Sequence, residues 1–67
     1  MAVTLKAHRI NRGLSQEEAA ALIGVTVPTL ISWEQCKTYP DVPKIKKIEE
    51  VYNVNYNDII FLPSNRD

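Results

Sequence analysis

The sequence predicts an all-α fold, a compact five-helix bundle, and three observations carry that expectation. Helix-capping side chains stand just before segments with helical apolar spacing. Glycine or asparagine stands where several of those segments end, and no stretch sustains the alternation of a strand.

Thr4 is placed to cap a first helix from Leu5 to Arg12, which Gly13 terminates in a left-handed conformation. Ser15 opens a second helix, Gln16 to Ile23. Glu18 lies three residues after Ser15, the spacing of a capping box in which each side chain satisfies the other residue's free backbone N–H. Three consecutive alanines favour this helix, and Gly24 ends it with a sharp change of direction. Thr26 is expected to cap a third helix from Val27 to Gln35. Pro28 is tolerated in its first turn, where N–H groups lack helical partners.

The stretch CKTYPDVP carries two prolines and the capping candidate Asp41, so it reads as an ordered loop feeding a fourth helix, Val42 to Tyr52. Val42, Ile45, Ile48 and Tyr52 recur there at helical spacing. Asn53 suits a left-handed ending, Asn55 is placed to cap a brief fifth helix over 56–61, and Pro63 stops it. The tail SNRD is expected to fray. The predicted core is Leu5, Leu14, Ala20, Ile23, Leu30, Trp33, Ile45, Ile48, Val54 and Ile59.

Sixty-seven residues have room for one small core, so residues 1–67 read as one domain. A hydrophobic share of 45% with 24% charged residues is globular rather than disordered. The single Cys36 cannot form an internal disulfide, and neither a signal peptide nor a long apolar run is visible, which points to a cytoplasmic chain without a membrane span. His8 has no second histidine or carboxylate cluster at ligand spacing, Cys36 has no visible base, and no phosphate-cradling glycine loop occurs. No catalytic residue, metal or small-molecule cofactor is therefore expected. Eight basic and eight acidic residues cancel, an unusual balance for a nucleic-acid-binding domain. Lys6, Arg9, Arg12, Lys37, Lys44, Lys46 and Lys47 all lie outside Ser15 to Val27, a segment charged only at Glu17 and Glu18.

Gln16, Ala20, Gly24, Val25, Leu30 and Trp33 form a spaced set: a small residue where two helices cross, a glycine at the turn, then apolar anchors on the next helix. That is the skeleton of a helix-turn-helix. The run LSQEEAAALIGVTVPTLISWE, followed by a proline-initiated helix ending YNVNYNDII, resembles the Cro and phage-repressor family over roughly Leu5 to Ile60. The resemblance implies a lambda-repressor-like DNA-binding fold with its third helix in the major groove of double-stranded DNA.

Carried onto this chain, base contacts fall to Val27, Pro28, Thr29, Ile31 and Ser32. This set is apolar except for Thr29 and Ser32, so contact with thymine methyl groups is the expected readout. Ile31 lies about 100° around the helix from Leu30, away from the inward face. The resemblance assigns DNA-backbone contact to Gln16, Lys37, Thr38 and Tyr39, and a partly buried ion pair between the first and third helices to Arg9 and Glu34.

Two residues depart from the family pattern: Cys36, where a glycine commonly follows the recognition helix, and Glu49, where a small residue is usual. The implied activity is that of a transcriptional regulator working as a homodimer on a two-fold operator, with Tyr56, Phe61 and Leu62 as dimer candidates. In size the chain resembles Cro-type proteins or an excised N-terminal domain. The competing readings are a protein-interaction module or an antitoxin that uses the apolar third helix on the same scaffold.

Overall fold

Capping chemistry sets most of the helix boundaries. The computed structural model describes residues 2–61, so the expectations for Leu62, Pro63 and the SNRD tail lie outside the described residues. A short strand β1 (Val3–Thr4) leads into helix α1 (Leu5–Asn11), where the Thr4 hydroxyl accepts from the Ala7 N–H at 3.2 Å. Helix α2 (Gln16–Ile23) begins with the complete capping box: Ser15 N–H donates to Glu18 Oε1 at 2.8 Å and Glu18 N–H to Ser15 Oγ at 3.0 Å. Helix α3 (Val27–Glu34) follows after three residues, and helix α4 (Val42–Tyr52) starts at Asp41, whose carboxylate accepts from the Lys44 N–H at 3.1 Å. Two predicted helices stop one residue early: Arg12 and Gln35 stand outside α1 and α3 as their C-terminal caps.

The expected fifth helix does not form. Tyr56–Asp58 is a single 3-10 turn, and Ile59–Ile60 is a strand, β2, paired in parallel with β1 in the register Val3 to Ile59 and Thr4 to Ile60. The described fold therefore has four α-helices and a two-stranded parallel sheet. Two adjacent isoleucines favour extended backbone, and the Asn55 side chain supplies no cap that would start a helix. Pairing with Val3 and Thr4 instead satisfies backbone groups that an isolated helical turn would leave open.

Leu5, Ala19, Ala20, Ile23, Leu30, Trp33, Ile48, Tyr52 and Ile59 make one continuous core. Leu14 and Val54, expected inside, are only partly buried against it, and Ile45 is half-buried. Val42 is 64% exposed. It lies about 120° around the α4 axis from Ile48, at the edge of the inward stripe. Ala19 and Tyr52, absent from the expected core, are both fully enclosed. The loop before α4 is pinned by a buried Pro40.

The C-terminal segment is fastened to the helices by two polar contacts. The His8 ring Nε2, on a buried side chain of α1, lies 2.6 Å from the Asp58 carbonyl, and since a carbonyl only accepts, Nε2 carries the proton. Glu49 Oε2 accepts from the Tyr56 N–H at 2.7 Å. The acid that departs from the family pattern thus anchors the start of the 3-10 turn.

Candidate nucleic-acid interface

Helices α2 and α3 meet at a turn that only a left-handed residue can make. Gly24 has φ +91°, and the N–H groups of Gly24 and Val25 both reach the Ala20 carbonyl, at 2.8 and 2.9 Å. A Cβ on Gly24 would meet nothing within 4 Å, so the demand for glycine is conformational rather than steric. Buried Ala19 and Ala20 on α2, with Leu30 and Trp33 on α3, hold the two helices together.

With Leu30 and Trp33 inward and the Glu34 side chain enclosed, the other residues of α3 are left to the surface or its margin. Pro28 is exposed, while Thr29, Ile31 and Ser32 are half-buried. Val27 divides its surface, being partly buried against the core, whereas Ile31 lies outside the core cluster.

The side chains expected to hydrogen-bond on this face are already paired. Thr26 occupies the N-cap position with extended dihedrals but makes no cap bond, contrary to expectation; its hydroxyl lies 2.9 Å from the Thr29 hydroxyl. The hydroxyl of Thr38 donates to Ser32 Oγ at 2.9 Å. These pairings could be anticipated only from the turn geometry, since hydroxyl spacing alone does not say which way a side chain turns.

The last residue of α3 carries the densest polar cluster. Arg9 Nε donates to Glu34 Oε2 at 2.7 Å and Nη2 to Oε1 at 3.4 Å, with the two side chains 9% and 4% exposed. Arg9 Nη1 donates to the Leu14 carbonyl at 2.9 Å, and Gln16 Nε2 donates to Glu34 Oε1 at 3.3 Å. The carboxylate ties α3 to α1 and α2, and the Arg9 guanidinium paired with it reaches on to the loop before α2. Tyr52, 1% exposed at the end of α4, joins this neighbourhood electrostatically. Burial, reinforced by the Glu34 charge and opposed by Arg9, pushes its phenol up to about 12. Its hydroxyl has no hydrogen-bond partner among the described residues.

Beyond α3 the chain turns back through Cys36, whose φ is +62°. The left-handed turn that a glycine commonly makes in the family is made here by a cysteine, at a conformational cost of about 1–2 kcal/mol. Cys36 N–H donates to the Trp33 carbonyl at 3.1 Å and Lys37 N–H to the Ser32 carbonyl at 3.0 Å, which leaves the Lys37 and Thr38 side chains exposed beside the end of α3.

Tyr39 goes elsewhere. Its ring meets Phe61 edge-on at 6.4 Å, and Phe61 stacks on Tyr56 at 5.8 Å. The structure thereby joins one backbone-contact candidate to two dimer candidates in a single aromatic group. Among the described residues no group of three His, Cys, Asp or Glu side chains could hold a metal ion, and no helix is long and apolar enough to cross a membrane.

A family model described as helix-turn-helix matches residues 5–59, most of the chain. No curated protein and no solved structure matches.

Proposed function

The chain belongs to the helix-turn-helix family of the Cro and repressor kind, and from that premise we propose that it is a sequence-specific transcriptional regulator that inserts α3 into the major groove of operator DNA. The observation that carries this reading is the outward face of α3, held across a tight glycine turn from α2 with Leu30 and Trp33 committed to the core. Val27, Pro28, Thr29, Ile31 and Ser32 supply the base contacts, largely apolar and suited to thymine methyl groups. Gln16, Lys37 and Thr38 lie beside the backbone. Of these, Lys37 is the exposed cation that neutralises a phosphate without reading sequence. Arg9 and Glu34 orient the helix.

A helix of eight residues reads few base pairs, and a chain with no net charge draws little non-specific attraction to DNA. A homodimer on a two-fold operator answers both limits, and the exposed rings of Tyr39 and Tyr56, which flank a Phe61 half-buried against the core, are the surface that supports it.

The test is binding to a random duplex pool across salt concentrations. Affinity that falls as salt rises is expected, and Lys37→Ala should lower it nearly equally on all sequences while flattening the log–log salt slope by about one unit. Ile31→Ala should cost about 1 kcal/mol on preferred sequences only. No binding to any duplex at low salt overturns the reading and turns attention to a protein partner for the apolar face of α3.

A further inference from the structure

Helix α4 carries a second stripe besides the one it buries. Ile48 and Tyr52 are enclosed in the core, while Val42, Ile45, Lys46 and Glu49 lie about 60–160° around the axis from Ile48. With Tyr56 of the 3-10 turn, these four residues line one open groove. Val42 and Tyr56 are exposed and Ile45 is half-buried, so much of the groove is apolar surface in contact with water.

The same groove holds one charge of each sign. Lys46 is exposed, and Glu49 is half-buried, held in place where its Oε2 accepts from the Tyr56 N–H at 2.7 Å. Among the described residues neither side chain belongs to an ion pair. Tyr56 also stacks on Phe61, which meets Tyr39 edge-on, so the groove is continuous with the aromatic surface that supports a homodimer.

We propose that this groove is the centre of the homodimer contact, filled by the same groove of a second copy, with Lys46 of each copy paired to the partner's Glu49. It rests on the reading of the chain as a homodimer, and names the face that joins and its alignment. A two-fold interface sets a patch against itself. A patch with one sign of charge repels its own copy, whereas an acid and a base one helical turn apart match it when the two-fold axis passes between them. An axis over Lys46 or over Glu49 would bring like charges together. The charges thus choose the alignment, and Val42, Ile45 and Tyr56 supply apolar area to remove from water. Any other partner would need an acid opposite Lys46, a base opposite Glu49 and apolar surface beside them. The groove already presents all three.

The experiment is sedimentation equilibrium of the full chain without DNA, with circular dichroism of each variant to check its helical content. The native chain should self-associate. Lys46→Glu and Glu49→Lys should each weaken association about tenfold or more, since either reversal places two like-charge contacts in the dimer. An equimolar mixture of the two should regain the native affinity, because one partner then brings two acids to the groove and the other two bases. An attraction confined to one chain gains nothing from mixing. Glu49→Lys also loses the bond to the Tyr56 N–H, so Val42→Glu provides a variant that spares the fold: an acid at the first residue of α4 suits the helix and touches no core residue's place. It too should weaken association about tenfold, with helical content unchanged.

Native-strength association of either Lys46→Glu or Val42→Glu overturns the proposal and moves the dimer contact to another face. A mixture of the two folded charge reversals that associates no better than its components overturns the pairing of Lys46 with Glu49. A native chain that stays monomeric at every concentration overturns the homodimer reading itself, an outcome separate from any result on the variants.

Discussion

At its last residue α3 is tied through Glu34 to Arg9 and Gln16, and the turn beyond it is closed by three backbone hydrogen bonds from Gln35, Cys36 and Lys37. At its first residues the same helix has no side-chain cap, and Pro28 contributes no N–H at all. One end is clamped and the other lightly held. A recognition helix reads bases chiefly with its N-terminal residues, so under the proposed function the lightly held end is the one that would fit against DNA, and the clamped end would set the angle at which it arrives.

Breaking the clamp should have the largest effect. Glu34→Ala leaves the Arg9 guanidinium buried without its counter-ion and should destabilise the fold by about 3–5 kcal/mol in chemical denaturation. Replacing the pair together, with Arg9→Met and Glu34→Leu, should recover most of that loss, because a buried pair contributes little net energy over an apolar match of similar volume. If the double variant is as unstable as Glu34→Ala, the network stabilises the fold by more than mutual neutralisation.

Easing the turn at the clamped end comes next. Cys36→Gly removes the cost of holding a side chain at positive φ and should raise stability by about 1 kcal/mol. A loss instead would mean that the cysteine side chain contributes packing that outweighs its backbone strain.

The two helix starts give a smaller contrast. Ser15→Ala, which dismantles a complete capping box, should cost about 1 kcal/mol. Thr26→Ala, which removes a hydroxyl that caps nothing, should cost less than about 0.5 kcal/mol. Equal losses would show that the Thr26 hydroxyl supports the start of α3 after all.

The smallest effect at neutral pH is expected from Tyr52→Phe, since the hydroxyl it removes has no partner. The difference emerges in alkali. Above pH 10 the tyrosine of the unfolded chain loses its proton, while the buried one keeps it until about pH 12. In that window the unfolded state binds fewer protons, so the stability of the native protein falls as pH rises. Tyr52→Phe should remove that part of the decline, measurable as a shallower loss of melting temperature from pH 10 upward.

The clamp and the helix starts differ equally in how far the amino-acid sequence foretells them. Ser15 with Glu18, Asp41, Gly24 and Asn53 act within a few residues of themselves, so local chemistry alone places α2, α4 and their ends. The 3-10 turn and β2 were hidden because their structure depends on Val3 and Thr4, more than fifty residues away, and nothing local at Asn55 distinguishes a helical start from a failed one.

The candidate interface divides along the same line. The inward residues Leu30 and Trp33 follow from periodicity, which also keeps Ile31 out of the core, although it is half-buried rather than exposed. The partners of Thr29, Ser32 and Tyr39 depend on where the loop after α3 returns, and that path hinges on Cys36 adopting a conformation that cysteine seldom takes. Tyr52 repeats at helical spacing, yet its complete enclosure next to Glu34 becomes visible only when α4 is packed.

The parallel pairing of β1 with β2 has a mechanical consequence. Parallel strands place the incoming end of the first and the outgoing end of the second at opposite extremities of the pair. Tension applied between the chain's two ends therefore runs along the strands and loads their hydrogen bonds together, in shear, whereas an antiparallel clasp would peel open one bond at a time. Any domain joined at either end would pull against this small shear joint before it could disturb α1 or the helices behind it.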